Sequence, residues 1–106
     1  MIELKFIQQN PQLGEVKVIM RIIGKIIYFK FNQSDYAEHI MKQMSERGAI
    51  ILKARDWIRV NIFSNNEEIK IGNYEFNVNT TPEPEIERML SEFYVAQYLK
   101  AGFTLE

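Results

Sequence analysis

Apolar and polar residues alternate along most of this chain, with the two-residue period of strands that bury one face. Ile2, Leu4 and Phe6 are interleaved with Glu3 and Lys5, which predicts a first strand ended by Asn10-Pro11-Gln12-Leu13-Gly14. The next stretch, EVKVIMRIIGKIIYFKF, has one turn signal, Gly24-Lys25. A two-residue turn there sets Ile23 opposite Ile26. One face then pairs Ile22 with Ile27, Met20 with Phe29 and Val18 with Phe31. The other pairs Arg21 with Tyr28 and Ile19 with Lys30, so every pair keeps its side. Gly at the first turn position suits a type II′ turn, whose twist matches that of the strands.

The period changes at Ser34. Ser34 as cap and Asp35 in the first turn predict a helix, with Ala37, Ile40, Met41 and Met44 on one side and Gly48 as its stop. Alternation returns from Ala49 to Val78 and reads as a four-strand meander. Ile50, Leu52 and Ala54 face inward with Ile58, Val60 and Ile62 if Arg55-Asp56-Trp57 forms a three-residue turn, one that contains no Gly. A link through Ser64-Asn65-Asn66-Glu67 then brings Ile62 to Ile69. Gly72-Asn73 pairs Ile71 with Tyr74, Ile69 with Phe76 and Lys70 with Glu75. The inward set predicted for the core is Val18, Met20, Phe29, Phe31, Leu52, Val60, Ile62, Ile69 and Phe76.

Thr81, Pro82 and the run Glu83, Glu85, Glu87 announce a second helix. Its stripe is Ile86, Met89, Leu90, Phe93 and Ala96, widened almost all round by Tyr94, Val95, Tyr98 and Leu99. The predicted class is therefore α+β: about seven mostly antiparallel strands, as a three-strand meander, a helix, a four-strand meander and a C-terminal helix. The pattern fits one curved sheet and two packed ones equally. A single domain is expected over 1–104, with Leu105-Glu106 having the form of a cloning scar.

Composition removes several chemistries. With no Cys there is no disulfide, no thiolate nucleophile and no Cys-ligated metal. One His and no Gly-x-Ser-x-Gly elbow leave no nucleophile triad, and no Gly-rich phosphate loop is present. No apolar run reaches the roughly 18 residues of a membrane span, and no basic-then-apolar leader opens the chain. A cytoplasmic protein without a membrane partner is expected. His39 lies between Asp35 and Gln43 on a polar helix face that lacks further ligands, so no metal or cofactor is assigned. Asp56 with Glu68-Ile69-Lys70 has the outline of a metal-dependent nuclease site. The same Glu-x-Lys triplet recurs at Glu3-Leu4-Lys5 and Glu15-Val16-Lys17, where it is a by-product of alternation. No catalytic residue is assigned, and the protein is not expected to be an enzyme.

Charge is unevenly spread. Up to Phe63 there are ten Lys and Arg against six Asp and Glu; from Ser64 onward there are three against eight. The cations fall where a partner would meet them. Arg55, Trp57 and Arg59 gather residue types enriched at binding hot spots, and Ile19, Ile23 and Ile26 are more aliphatics than a bare solvent face carries. The expectation is a non-enzymatic interaction protein that binds another protein. Trp57 then either folds back onto the sheet or stands out for that partner. The alternative is a small nucleic-acid-binding protein using an outer basic and aromatic sheet face, with Lys17, Arg21, Tyr28, Lys30 and Lys53. Against it stand a net charge of −1 and the lack of any RNA-recognition strand signature. A homodimer is also expected through the C-terminal helix, with Tyr94, Val95 and Tyr98 at the interface. The competing account has the first helix or Phe103 covering that apolar surplus within one chain.

Overall fold

The turn at Gly24-Lys25 organises the sheet. The strands on either side, β2 (Gly14–Ile23) and β3 (Ile26–Phe31), pair in the register that alternation predicts, Val18 with Phe31 through Ile23 with Ile26. Gly24 has a φ of 59°, which a side chain disfavours, and its N–H donates to Glu87 of the C-terminal helix at 2.8 Å. The first strand, β1 (Ile2–Asn10), pairs antiparallel with β2 from Ile2–Ile22 to Asn10–Gly14. Asn10 closes that connection by accepting the N–H groups of Gln12 and Leu13 on its side-chain oxygen.

The computed structural model describes residues 1–63 and 67–106. After β3 come α1 (Ser34–Glu46), β4 (Ile50–Ala54), β5 (Trp57–Asn61), β6 (Glu68–Ile71), β7 (Tyr74–Asn77), α2 (Glu83–Lys100) and β8 (Thr104–Leu105). A six-stranded sheet has the order β4-β5-β3-β2-β1-β8, every pair antiparallel, and β6-β7 form a second sheet of their own. The α+β class, the antiparallel pairing and the C-terminal helix are as the pattern predicts.

One face of the large sheet carries the core. Phe6, Val16, Val18, Met20, Ile22, Ile27, Phe29 and Val60 are buried there beneath Ile86, Met89, Leu90 and Tyr98 of α2. Tyr98 stacks on Phe6 with centroids 4.5 Å apart. α2 ends with Phe103 N–H on Tyr98 C=O (2.9 Å) and Gly102 N–H on Leu99 C=O (3.1 Å), the paired bonds of a Schellman motif. That motif turns Phe103 back against Tyr98, at 5.1 Å, and within 5.7 Å of Tyr36 on α1. The small hairpin joins the same layer. Phe76 meets Phe63 edge-on, and the Tyr74 hydroxyl donates to Glu92 of α2. Among the described residues no helix is long and apolar enough to cross a membrane.

Several expectations shift. The β4–β5 turn has two residues, Arg55 and Asp56, not three: Ala54 pairs with Trp57, Leu52 with Arg59 and Ile51 with Val60. Arg55 takes a φ of 56°, beside 59° and 57° for the glycines that begin the other two-residue turns. The slip of one residue reverses β4. Ile51 packs toward the core, while Ile50 and Leu52 stand 52% and 54% exposed, so Leu52 is not a core residue. Trp57 belongs to a strand, not to the tip. The four strands between the helices divide into hairpins in different sheets: β5 ends at Asn61 and β6 pairs with β7 alone. Of the link expected between Ile62 and Ile69, residues 64–66 lie outside the described residues.

The helix starts also differ. Gln33 and Pro82 hold the N-cap positions, and neither makes a side-chain cap bond. Gln33 instead donates to the carbonyls of Leu13 and Glu15, tying α1 to the β1–β2 turn. Pro84 sits in the first turn of α2, where no N–H is needed. Leu105 and Glu106 take part in the fold: Leu105 pairs with Phe6, and the Glu106 N–H reaches the Lys5 carbonyl at 2.8 Å.

Two substitutions test this architecture. Phe29→Asp places an unpaired charge in the core at a cost of several kcal/mol, of the order of the whole stability. Its circular dichroism melt is expected to lose the cooperative transition. Arg55→Gly relieves a left-handed strain of about 1–2 kcal/mol while adding about 0.5–1 kcal/mol of chain entropy to lose. A net gain of roughly 0.5–1 kcal/mol is expected, read as a higher urea midpoint at unchanged slope.

Candidate functional site

Both helices and the β6–β7 hairpin lie on one side of the six-stranded sheet. The other side is set by parity, since directly opposed residues in an antiparallel pair share a face. One cross-strand row reads Leu52, Arg59, Tyr28, Arg21, Glu3. A neighbouring row includes Lys30, Ile19 and Lys5, with Ala54 and Trp57 at the β4–β5 end. Ile7, Ile19, Ile23, Ile26, Ile50 and Leu52 all belong to this outer face, and none of them joins the core cluster. Ile23 is 46% exposed, so with Ile50 and Leu52 the face carries three of the most exposed large aliphatics. Around them stand Lys5, Lys17, Lys30 and Arg59, all exposed.

Trp57 folds back onto this face. The Arg21 guanidinium lies 4.5 Å from its ring centroid and the Lys30 ammonium 6.0 Å. Arg21 also donates its Nε–H to Glu3 at 2.7 Å. That bond, and then the positive charge of Arg21, hold the Glu3 carboxyl below its ordinary range. One cation thus clamps a carboxylate and an indole, and the indole face is already occupied by the chain's own charge.

Of the residues expected to bind a partner, Trp57 and Arg59 share the outer face, while Arg55 stands at its end in the turn. Lys17, Arg21, Tyr28 and Lys30, named for nucleic acid, lie on the same face. Lys53 does not: it opposes Ile58, a core residue, and so projects from the edge strand on the helix side. Ile50 and Leu52 face inward in the predicted register, and the one-residue turn slip is why they belong here instead.

The dimer residues sit against their own chain. Tyr98 is buried between Phe6 and Phe103, and Tyr94 and Val95 are half-buried against the core, Tyr94 edge-on to Phe29. Tyr98 is covered within the chain by Phe6 and by Phe103, which also meets Tyr36 of α1, while Leu99 on the same helix stands 51% exposed. Asp56 and Glu68, the outline of a nuclease site, fall in the β4–β5 turn and in β6, on separate sheets. Asp35 and His39 are exposed on α1, and among the described residues no group of three or more His, Cys, Asp or Glu is placed to hold a metal.

A concavity lies on the helix side. It is a groove of about 620 Å³ between α1, α2 and β6, with Ile40, Met44, Ile69, Ile71, Phe93 and Tyr94 among its walls. Gln43, Arg47 and Gln97 add polar groups from the C-terminal halves of the two helices. No signal in the sequence marks it, because it exists only where three distant segments meet. Burial pushes the Tyr94 hydroxyl up to about 12, against a smaller downward pull from Arg47. Burial raises the Tyr98 hydroxyl further still.

Comparison with protein families, curated proteins and solved structures finds no match to this chain.

The tyrosines predict an alkaline limit. Folded Tyr94 and Tyr98 hold their protons more tightly than the ordinary tyrosine, which titrates at 10. Below that pH both states are protonated and stability is unaffected. As pH rises from 10 toward 12 the unfolded chain ionises first, so stability falls. The melting temperature is expected to drop over that window, and Tyr94→Phe to lessen the drop.

Proposed function

We propose that this is a non-enzymatic interaction protein that binds another protein through the outer face of its six-stranded sheet. The observation that carries the reading is that Ile23, Ile50 and Leu52, each close to half exposed or more, lie on one unpartnered face beside Trp57 and Arg59. Fully burying an Ile or Leu is worth roughly 1.5–3 kcal/mol, so a partner that covers these three has a large apolar term to gain. Trp and Arg are the side chains that most often anchor such contacts. Exposed Lys5, Lys17, Lys30 and Arg59 favour an acidic rim on that partner.

The same cations, with Tyr28, are what a single-stranded nucleic acid needs. Two features favour protein. The Trp57 ring is covered by Arg21 and Lys30, so it offers less stacking surface to a base. The exposed aliphatics serve no phosphate or sugar. The test is capture from the source cell, with and without nuclease, using the native chain and Ile23→Asp/Leu52→Asp. A protein complex that survives nuclease and is lost in the double variant is the expected result. Salt-sensitive binding of a random single-stranded oligonucleotide, lost in Arg21→Ala or Arg59→Ala, would overturn the reading in favour of nucleic acid.

A further inference from the structure

The groove on the helix side lies apart from the proposed docking face and carries a separate inference. Its volume, about 620 Å³, falls within the roughly 300–1,000 Å³ of small-molecule sites. Its aliphatic walls are Ile40, Met44, Ile69 and Ile71, of which the unbranched Met44 can follow a chain, and Phe93 supplies a flat side. Three charged residues line it. Lys70 is drawn to Glu75 at 3.7 Å, and Glu68 accepts from Asn77 at 2.8 Å. Among the described residues the Arg47 guanidinium makes no ion pair or side-chain hydrogen bond, and it lies close enough to Tyr94 to influence that hydroxyl. Tyr94 stays a neutral phenol at any ordinary pH and is therefore a ready donor.

The helix ends set how much negative charge the polar part can take. Arg47 is the C-cap of α1 and Ala101 that of α2, and both line the groove. Helix C-termini carry partial negative charge, so neither end attracts an anion. One planar guanidinium against that background matches one carboxylate, which its fork can hold by two bonds.

We propose that the groove binds a fatty acid, its hydrocarbon chain against the aliphatic walls and its carboxylate on Arg47.

The test is calorimetric titration of the folded protein with laurate below its micelle concentration, beside dodecanol and dodecylammonium. One laurate per chain is expected, bound about tenfold or more tighter than the ammonium, as a charge-assisted bond implies. Arg47→Gln should weaken laurate about tenfold or more and change dodecanol less than about twofold. Gln97→Trp, at an exposed position on the groove wall, should abolish both. If Gln97→Trp fails a melting check, Ala101→Trp at the α2 cap serves in its place. The proposal is overturned by an absence of saturable laurate binding, by ammonium binding as tight as laurate, or by laurate binding that survives a folded groove-filling variant. The last result would place the ligand elsewhere, on the outer sheet face included, and would leave the protein-docking reading to its own test.

Discussion

A residue in a pleated strand has only two places to go, and the covered part of this sheet's inner face admits no charge, Lys53 standing exposed at its edge. Every fully buried side chain among the described residues is apolar or aromatic. The remaining architecture follows from that restriction. Val16, Val18, Met20 and Ile22 occupy alternate positions of one strand, so α2 must lie across them. The helix supplies Ile86, Met89, Leu90 and Tyr98 as the opposing layer. The Schellman turn at Gly102 then returns Phe103 to close the end that the helix leaves open.

The elements differ in how openly their sequence declares them. Both hairpins with a glycine turn, at Gly24 and Gly72, could be placed to the residue, because only one register keeps Val18 with Phe31 or Ile69 with Phe76. The β4–β5 hairpin could not. Arg55 adopts the backbone that glycine adopts elsewhere, and nothing in its chemistry announces this. One misplaced residue puts Leu52 in the core and Trp57 on a tip, and turns every side chain of β4 to the wrong side. Arg21, Tyr28 and Lys30 were legible because their hairpin was. The groove was not, since Met44, Ile69 and Phe93 are brought together by tertiary packing alone. The helix caps misled for a local reason: Gln33 spends its amide on the neighbouring turn, leaving Ser34 inside the helix.

Charge that is separated along the chain becomes charge separated in space. The basic first part builds the large sheet, and parity sends Lys5, Lys17, Lys30 and Arg59 outward. The acidic second part builds the opposite layer, where Glu83, Glu85, Glu87 and Glu92 line α2. Glu87 turns inward to the Gly24 N–H and the N-terminal ammonium, at 2.8 and 3.3 Å, so part of that acidity pins the helix to the sheet. A net charge of −1 therefore conceals a dipolar molecule, whose orientation near a charged partner is biased before contact.

The clamp of Arg21 between Glu3 and Trp57 has an optical consequence. Trp57 is the sole indole of the chain, so near-ultraviolet excitation at the red edge reports from one place only. Its fluorescence is tuned by the guanidinium 4.5 Å away and by the water that reaches the ring. Anything that lifts Arg21 away, or dries the indole, alters brightness and colour together. The unlabelled protein thus carries its own spectroscopic reporter on the sheet face opposite the helices.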